Sequence, residues 1–81
     1  MKELEKYQKV FMDTFQVSFD DLSGLTYQSI ELWDSVGHMT LIANLEDAFD
    51  IMMETDDIVD LSSYEKGKVI LSEKYGVHFE E

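Results

Sequence analysis

Apolar side chains recur at helical spacing in three stretches of this chain, and no comparable stretch sustains the alternation of a half-buried strand. Residues 3–15 set Leu4, Tyr7, Val10, Phe11 and Phe15 on one side of a helix, with Glu3, Lys6, Lys9 and Asp13 around the rest. A second helix is expected to begin at Asp34-Ser35, both good N-cap residue types, and to carry Val36, Met39, Leu41, Ile42, Leu45, Phe49 and Met52 as its apolar set. Thr55-Asp56-Asp57 opens a short helix around Ile58 and Leu61. Ser62, with Glu65 three residues on, has the form of a capping box for a last helix that buries Tyr64, Ile70, Leu71 and Tyr75 and stops at Gly76. Val77 and Phe79 would allow a short strand in the tail. The fold class predicted is all-α: an antiparallel four-helix bundle of three longer helices and one short, forming a single domain over 1–81.

Between the first two long helices, residues 17–34 show no sustained period. Ser18 and Asp21 can cap a short turn, Gly24 suits a loop, and Leu22, Leu25, Ile30 and Leu32 are expected to pin the connection to the core. A long connection in a compact domain is often functional.

Eighteen acids against six lysines and no arginine give a formal charge of −12. All six lysines lie near the ends (Lys2, Lys6, Lys9, Lys66, Lys68, Lys74), so residues 10–65 hold thirteen acids and no basic side chain but histidine. Nucleic acid and anionic membrane need a basic footprint and are poor partners for such a surface. Positively charged partners suit it, although solubility alone also explains an acidic surface. The absence of cysteine rules out disulfides and protein thiolate chemistry, and with no membrane-length apolar run and no signal-peptide pattern a cytoplasmic setting is expected.

Enzymatic motifs are missing. His38 and His78 are far apart and have no metal-site context, Asp56-Asp57-Ile58-Val59-Asp60 lacks the calcium-loop pattern, and no Gly-rich phosphate loop occurs. The chain is therefore expected to catalyse nothing itself and to hold no metal. Ser35 stands out because it follows a long loop and an acid and opens a helix, where free amides and the helix dipole favour a phosphate ester. The same serine also suits a plain capping role.

The run Asp34-Ser35-Val36-Gly37-His38-Met39-Thr40-Leu41-Ile42-Ala43-Asn44-Leu45-Glu46-Asp47-Ala48-Phe49 resembles the Asp-Ser-Leu helix of acyl carrier proteins. Asp60-Leu61-Ser62-Ser63-Tyr64 is similar to the family's approach to its last helix, and Phe15-Gln16-Val17 with Phe19-Asp20-Asp21-Leu22 to the end of its first. The resemblance implies that Ser35 receives 4′-phosphopantetheine from coenzyme A through a phosphopantetheinyl transferase, with Asp34 beside it for recognition and Val36 as an apolar contact. It implies an acyl group held as a thioester on that arm, with Met39, Ile42, Ala43, Leu45 and Tyr64 lining a space for the cargo, although plain core explains each of the five as well. Glu46, Asp47, Asp50, Glu54, Asp56 and Asp57 become candidates for steering basic patches on acyl- or aminoacyl-activating and acyl-transfer enzymes, and a monomer without stable membrane association is expected.

The departures are local. Gly37, His38 and Thr40 occupy the early turn where fatty-acid carriers generally have an acid, Val36 replaces the usual leucine, and Trp33 stands where a small residue is common. Gly37 after Ser-Val is similar to D-alanyl carriers, so an aminoacyl cargo is the alternative. The pattern Trp-Asp-Ser-x-Gly-His is similar to discrete carriers of specialised bacterial pathways. A cofactor-free acidic adaptor binding a basic protein is the rival from another class.

Overall fold

The computed structural model describes residues 2–79, and the regular elements among them are all helical. Helix α1 spans Glu3–Phe15 and places Glu3 and Glu5 at its positive end. It buries Tyr7, Phe11 and Phe15, with Val10 packed at the edge, as the spacing predicts. Helix α2 spans Ser35–Phe49, α3 spans Thr55–Asp60 and α4 spans Tyr64–Lys74.

The connection after α1 is more ordered than its pattern suggests. A 3-10 helix runs over Phe19–Gly24, and the Asp21 carboxylate accepts from both the amide and the hydroxyl of Ser18, at 3.2 and 3.1 Å. Thr26 then forms an isolated antiparallel bridge with Ser63: the Tyr27 amide donates to Ser62 O at 2.8 Å, and the Tyr64 amide to Leu25 O at 2.9 Å. The Gln28 amide reaches back to Trp33 O at 2.9 Å, which closes the chain on itself and turns the Trp33 indole inward. Leu22 and Leu25 are buried and Ile30 packs on the core, but Leu32 is about half exposed, at 49%. Trp33, adjacent in sequence, takes the inward position that the pattern assigned to Leu32.

Three other expectations change. Ser62 does not cap α4, because its carbonyl is engaged in the bridge and the backbone stays extended through Ser63. Ser63 caps instead, its hydroxyl accepting from the Lys66 amide at 2.9 Å. Helix α2 ends at Phe49, where Asp50 turns left-handed at φ 55°, so Met52 lies beyond the helix and is 83% exposed while Met53 is buried. No strand forms among the described residues; Val77 is buried by the turn after α4, where its amide donates to Leu71 O at 3.1 Å and Gly76 takes φ +71°.

Aromatic rings fill the centre. Phe11 touches Tyr7, Trp33 and Tyr64 with centroid separations of 4.8, 5.7 and 5.2 Å, and Phe15 stacks on Trp33 at 4.9 Å. Tyr7 is fully buried and donates its hydroxyl to Tyr64 O at 2.7 Å; burial also holds that hydroxyl's pKa well above its ordinary value of 10.0. The tyrosine oxygen lies against Gly67 on α4, and a Cβ there would run into it. Helix propensity favours alanine over glycine by about 1 kcal/mol, whereas overpacking a dense core costs about 1–3 kcal/mol. Gly67→Ala is therefore expected to lower the urea midpoint. Tyr7→Phe removes the clashing oxygen, so the losses from the two changes should combine to less than their sum; strictly additive losses would show that Tyr7 is not what Gly67 accommodates.

Candidate functional site

The start of α2 divides its duties between two neighbouring residues. Asp34 is the N-cap: its Oδ1 accepts from the Gly37 amide at 2.8 Å, and its carbonyl from the His38 amide at 2.7 Å. Ser35 is the first helical residue, is exposed, and its hydroxyl makes no hydrogen bond among the described residues. The amides of Ser35 and Val36 are also unclaimed among them, and apart from the Asp34 cap no acidic side chain stands in the first turn. An uncommitted hydroxyl thus stands at the positive end of a helix, able to carry a phosphate ester.

Gly37 is there for space. A Cβ at this position would collide with the carbonyl of Leu32, which the incoming loop lays against the first turn. The close approach accounts for Gly37 without reference to any cargo.

Trp33 and His38 hold that turn from below. Trp33 is fully buried, and its Nε1 donates to His38 Nδ1 at 3.0 Å. An indole nitrogen can only donate, so Nδ1 accepts and the imidazole proton sits on Nε2, which donates to Ile58 O at 2.7 Å. The ring lies nearly parallel to the indole, 13° apart, and meets Tyr27 edge-on at 5.6 Å. One histidine therefore links the loop, α2 and α3. Sequence inspection marks His38 as lacking metal context and as one of the departures in the early turn, but a buried tryptophan next to the helix start needs an acceptor, and His38 is one turn inside it.

Two hollows open on the first turns of α2. One, of about 240 Å³, is lined by Tyr27, His38, Val59, Leu61 and Ser62. The other lies on the far side of the helix start, against Thr14, Leu32, Asp34, Val36, Gly37 and Thr40. None of the five residues named for a cargo space lines either. Ile42, Leu45 and Tyr64 are buried in the common core, while Met39, at 53% exposed, and Ala43 lie on the solvent side. The buried arc of α2 is narrow, passing through Leu41, Ile42 and Leu45, and Met39 and Ala43 fall outside it. Val36 is 74% exposed, so with Leu32 and Met39 it leaves an apolar patch around Ser35.

The acids candidate for partner steering separate into two groups. Asp47, Asp50, Glu54 and Asp56 are exposed and form no ion pair among the described residues. Glu46 and Asp57 have structural partners instead. Glu46 Oε2 accepts from the Met53 amide at 2.9 Å and so fastens the chain after α2. Asp57 is buried, contrary to a steering role, because its carboxylate accepts from Lys74 Nζ at 2.8 Å and from the Tyr75 hydroxyl at 2.6 Å. The Tyr75 oxygen in turn accepts from the Glu54 amide at 2.9 Å, so α3 is tied to the end of α4. Among the described residues, no group of three or more His, Asp or Glu could hold a metal ion and no helix is long and apolar enough to cross a membrane.

Two consequences can be measured. Gly37→Ala must push the Leu32 carbonyl away, and Trp33 with it; an overpacking loss of about 1–3 kcal/mol is expected, together with a red shift in the emission of Trp33, the chain's single tryptophan. The Lys74 and Tyr75 hydrogen bonds lower the pKa of Asp57 below its ordinary 3.8. A carboxylate whose folded value is depressed stabilises the fold above its unfolded pKa, and that contribution fades as the pH falls through the folded one. Asp57→Asn should therefore be less stable than the parent at neutral pH, with the difference in urea midpoint shrinking below pH 3.8; a pH-independent difference would mean that the charge is not what holds α3.

Comparison with known proteins adds no relative: no family model matches the chain, and neither a curated protein nor a solved structure is significantly similar to it.

Proposed function

We propose that the chain is an acyl carrier: an antiparallel four-helix bundle, with a long connection between its first two long helices, whose Ser35 bears a 4′-phosphopantetheine arm. One observation carries this reading. At the start of α2 the capping bond belongs to Asp34, which leaves the adjacent Ser35 hydroxyl exposed and free of any hydrogen bond among the described residues. A serine kept only as a cap would be expected to supply the capping bond itself.

The chemistry asked of the protein is small. Ser35 Oγ would displace the nucleotide portion of coenzyme A at phosphorus, forming a phosphodiester at the helix start while a base on the transferase takes the hydroxyl proton. The unclaimed amides of the first turn and the helix dipole favour the resulting negative charge. The arm's terminal thiol then supplies the thioester chemistry that a cysteine-free chain lacks. Val36, Leu32 and Met39 offer an apolar contact around the serine, and Asp47, Asp50, Glu54 and Asp56 an acidic field for basic, cytoplasmic partner enzymes. Because the Leu32 carbonyl already explains Gly37, that glycine does not discriminate between acyl and aminoacyl cargo.

Incubation with coenzyme A, magnesium and a broad-specificity phosphopantetheinyl transferase, followed by intact mass measurement, tests the proposal. The wild type is expected to gain a single phosphopantetheinyl group and Ser35→Ala none. Modification of the alanine variant would overturn the assignment of the site. A folded, initially unmodified wild type that gains nothing would favour the acidic adaptor instead.

A further inference from the structure

Three segments of chain meet on the ring of His38. Trp33, the residue before the Asp34 cap, donates its indole N–H to Nδ1 at 3.0 Å, and Nε2 donates to Ile58 O of α3 at 2.7 Å. Trp33 also fixes the backbone around it. Its carbonyl accepts from the Gln28 amide at 2.9 Å, and its amide donates to Ile30 O at 3.2 Å. Asp34 and Ser35 follow directly, so the path of the chain into α2 is set from the indole outward. His38 itself is half-buried and makes no hydrogen bond to the serine hydroxyl.

This junction works in one protonation state. A neutral imidazole offers one acceptor and one donor, and both are in use. A second proton turns Nδ1 into a donor aimed at the indole N–H, so the Trp33 bond is lost while the Ile58 bond can persist. The titratable and charged groups on the surrounding elements are engaged elsewhere or exposed. On the loop, Tyr27 meets the ring edge-on at 5.6 Å, and the Asp34 carboxylate accepts from the Gly37 amide. On α3, Asp57 is held by Lys74 and Tyr75, while Asp56 and Asp60 are exposed. Helix α1 approaches through Phe11 and Phe15 on the far side of the indole contact, and the segment before α4 through Leu61 and Ser62, all uncharged. No carboxylate forms an ion pair with His38 among the described residues.

We propose that neutral His38 is a positioning residue for attachment of the arm at Ser35, and that a second proton on its ring uncouples Trp33 and the loop that sets the serine, which makes attachment sensitive to mild acid. This rests on the carrier reading. Glutamine at this position also presents one amide acceptor and one amide donor, but it takes up no proton in the range where imidazole titrates. Asp57, its carboxyl held below the ordinary 3.8 by Lys74 and Tyr75, keeps its charge over that range, and His78 is exposed beyond α4.

The test measures kcat/KM for arm attachment by intact mass at about pH 8 and about pH 5.5, on either side of the ordinary imidazole range. Wild type, His38→Gln and His38→Ala are compared with the same broad-specificity transferase, whose own pH dependence cancels in the ratios. The ratio of wild type to His38→Gln is expected to fall about tenfold on acidification, the scale of one lost buried hydrogen bond. At the higher pH, His38→Gln should exceed His38→Ala. In the unmodified wild type, the NMR signals of the His38 ring and the Trp33 indole N–H should titrate together while far-UV circular dichroism stays helical; this reading stands even if the glutamine variant does not fold. A ratio that does not change with pH, a Trp33 signal indifferent to His38, or loss of all helix at the lower pH would overturn this inference alone. A wild type that takes no arm at either pH would overturn the carrier reading and this inference with it.

Discussion

A fully buried indole governs the start of α2. Removing an aromatic side chain of this kind from water covers some 150–250 Å², worth about 4–6 kcal/mol at 25 cal/mol per Å². An unpaired buried donor would return about 1–3 kcal/mol of that gain. Part of the benefit of burying Trp33 therefore depends on His38 accepting its N–H, and His38 can do so only in the tautomer that donates to Ile58 O. Asp34 and Ser35 lie between these two ring-bearing residues in sequence. Their position is set by packing beneath them, which leaves their own polar groups available for capping and for outside chemistry.

Charge follows a similar division. The lysines that form ion pairs do so with Glu3, Asp13, Glu65 and Asp57, on α1, α3 and α4. The acids at the end of α2 and around α3 are left to solvent, apart from Glu46 and Asp57, whose carboxylates hold neighbouring backbone and side chains. The unpaired set repels itself modestly while projecting a one-signed field from the end of α2 and around α3. Strength of structure and strength of field are thus drawn from different acids, although both sets look alike in the sequence.

Local pattern revealed the helices and little of what connects them. The apolar period marked α1 through Glu3–Phe15 and the cap residues marked the start of α2, because both signals lie within a few residues of one another. The choice of Ser63 over Ser62 as the cap of α4 depended on a backbone bridge to Thr26, which no nearby residue announces. Asp57 meets partners seventeen and eighteen residues away, and His38 a carbonyl twenty residues away. Such pairings are set by how helices lie against each other, so spacing along the chain could name Ser35 and Asp34 but not the partners of His38 and Asp57. Met39 and Ala43 illustrate the opposite error: both belong to a generally apolar helix, yet only its narrower buried arc is decided by contact with α1 and the connecting loop.

The Thr26–Ser63 bridge encloses all of α2 and α3 in one loop of chain. Closing it carries an entropic cost before the enclosed contacts can repay it, so the loop around Trp33 gains its final path only once the segment leading into α4 has arrived. During synthesis from the N-terminus, α1 and α2 can emerge and coil early, but the backbone that frames Ser35 is still incomplete. The serine's surroundings are therefore complete only when the segment that opens α4 has joined them.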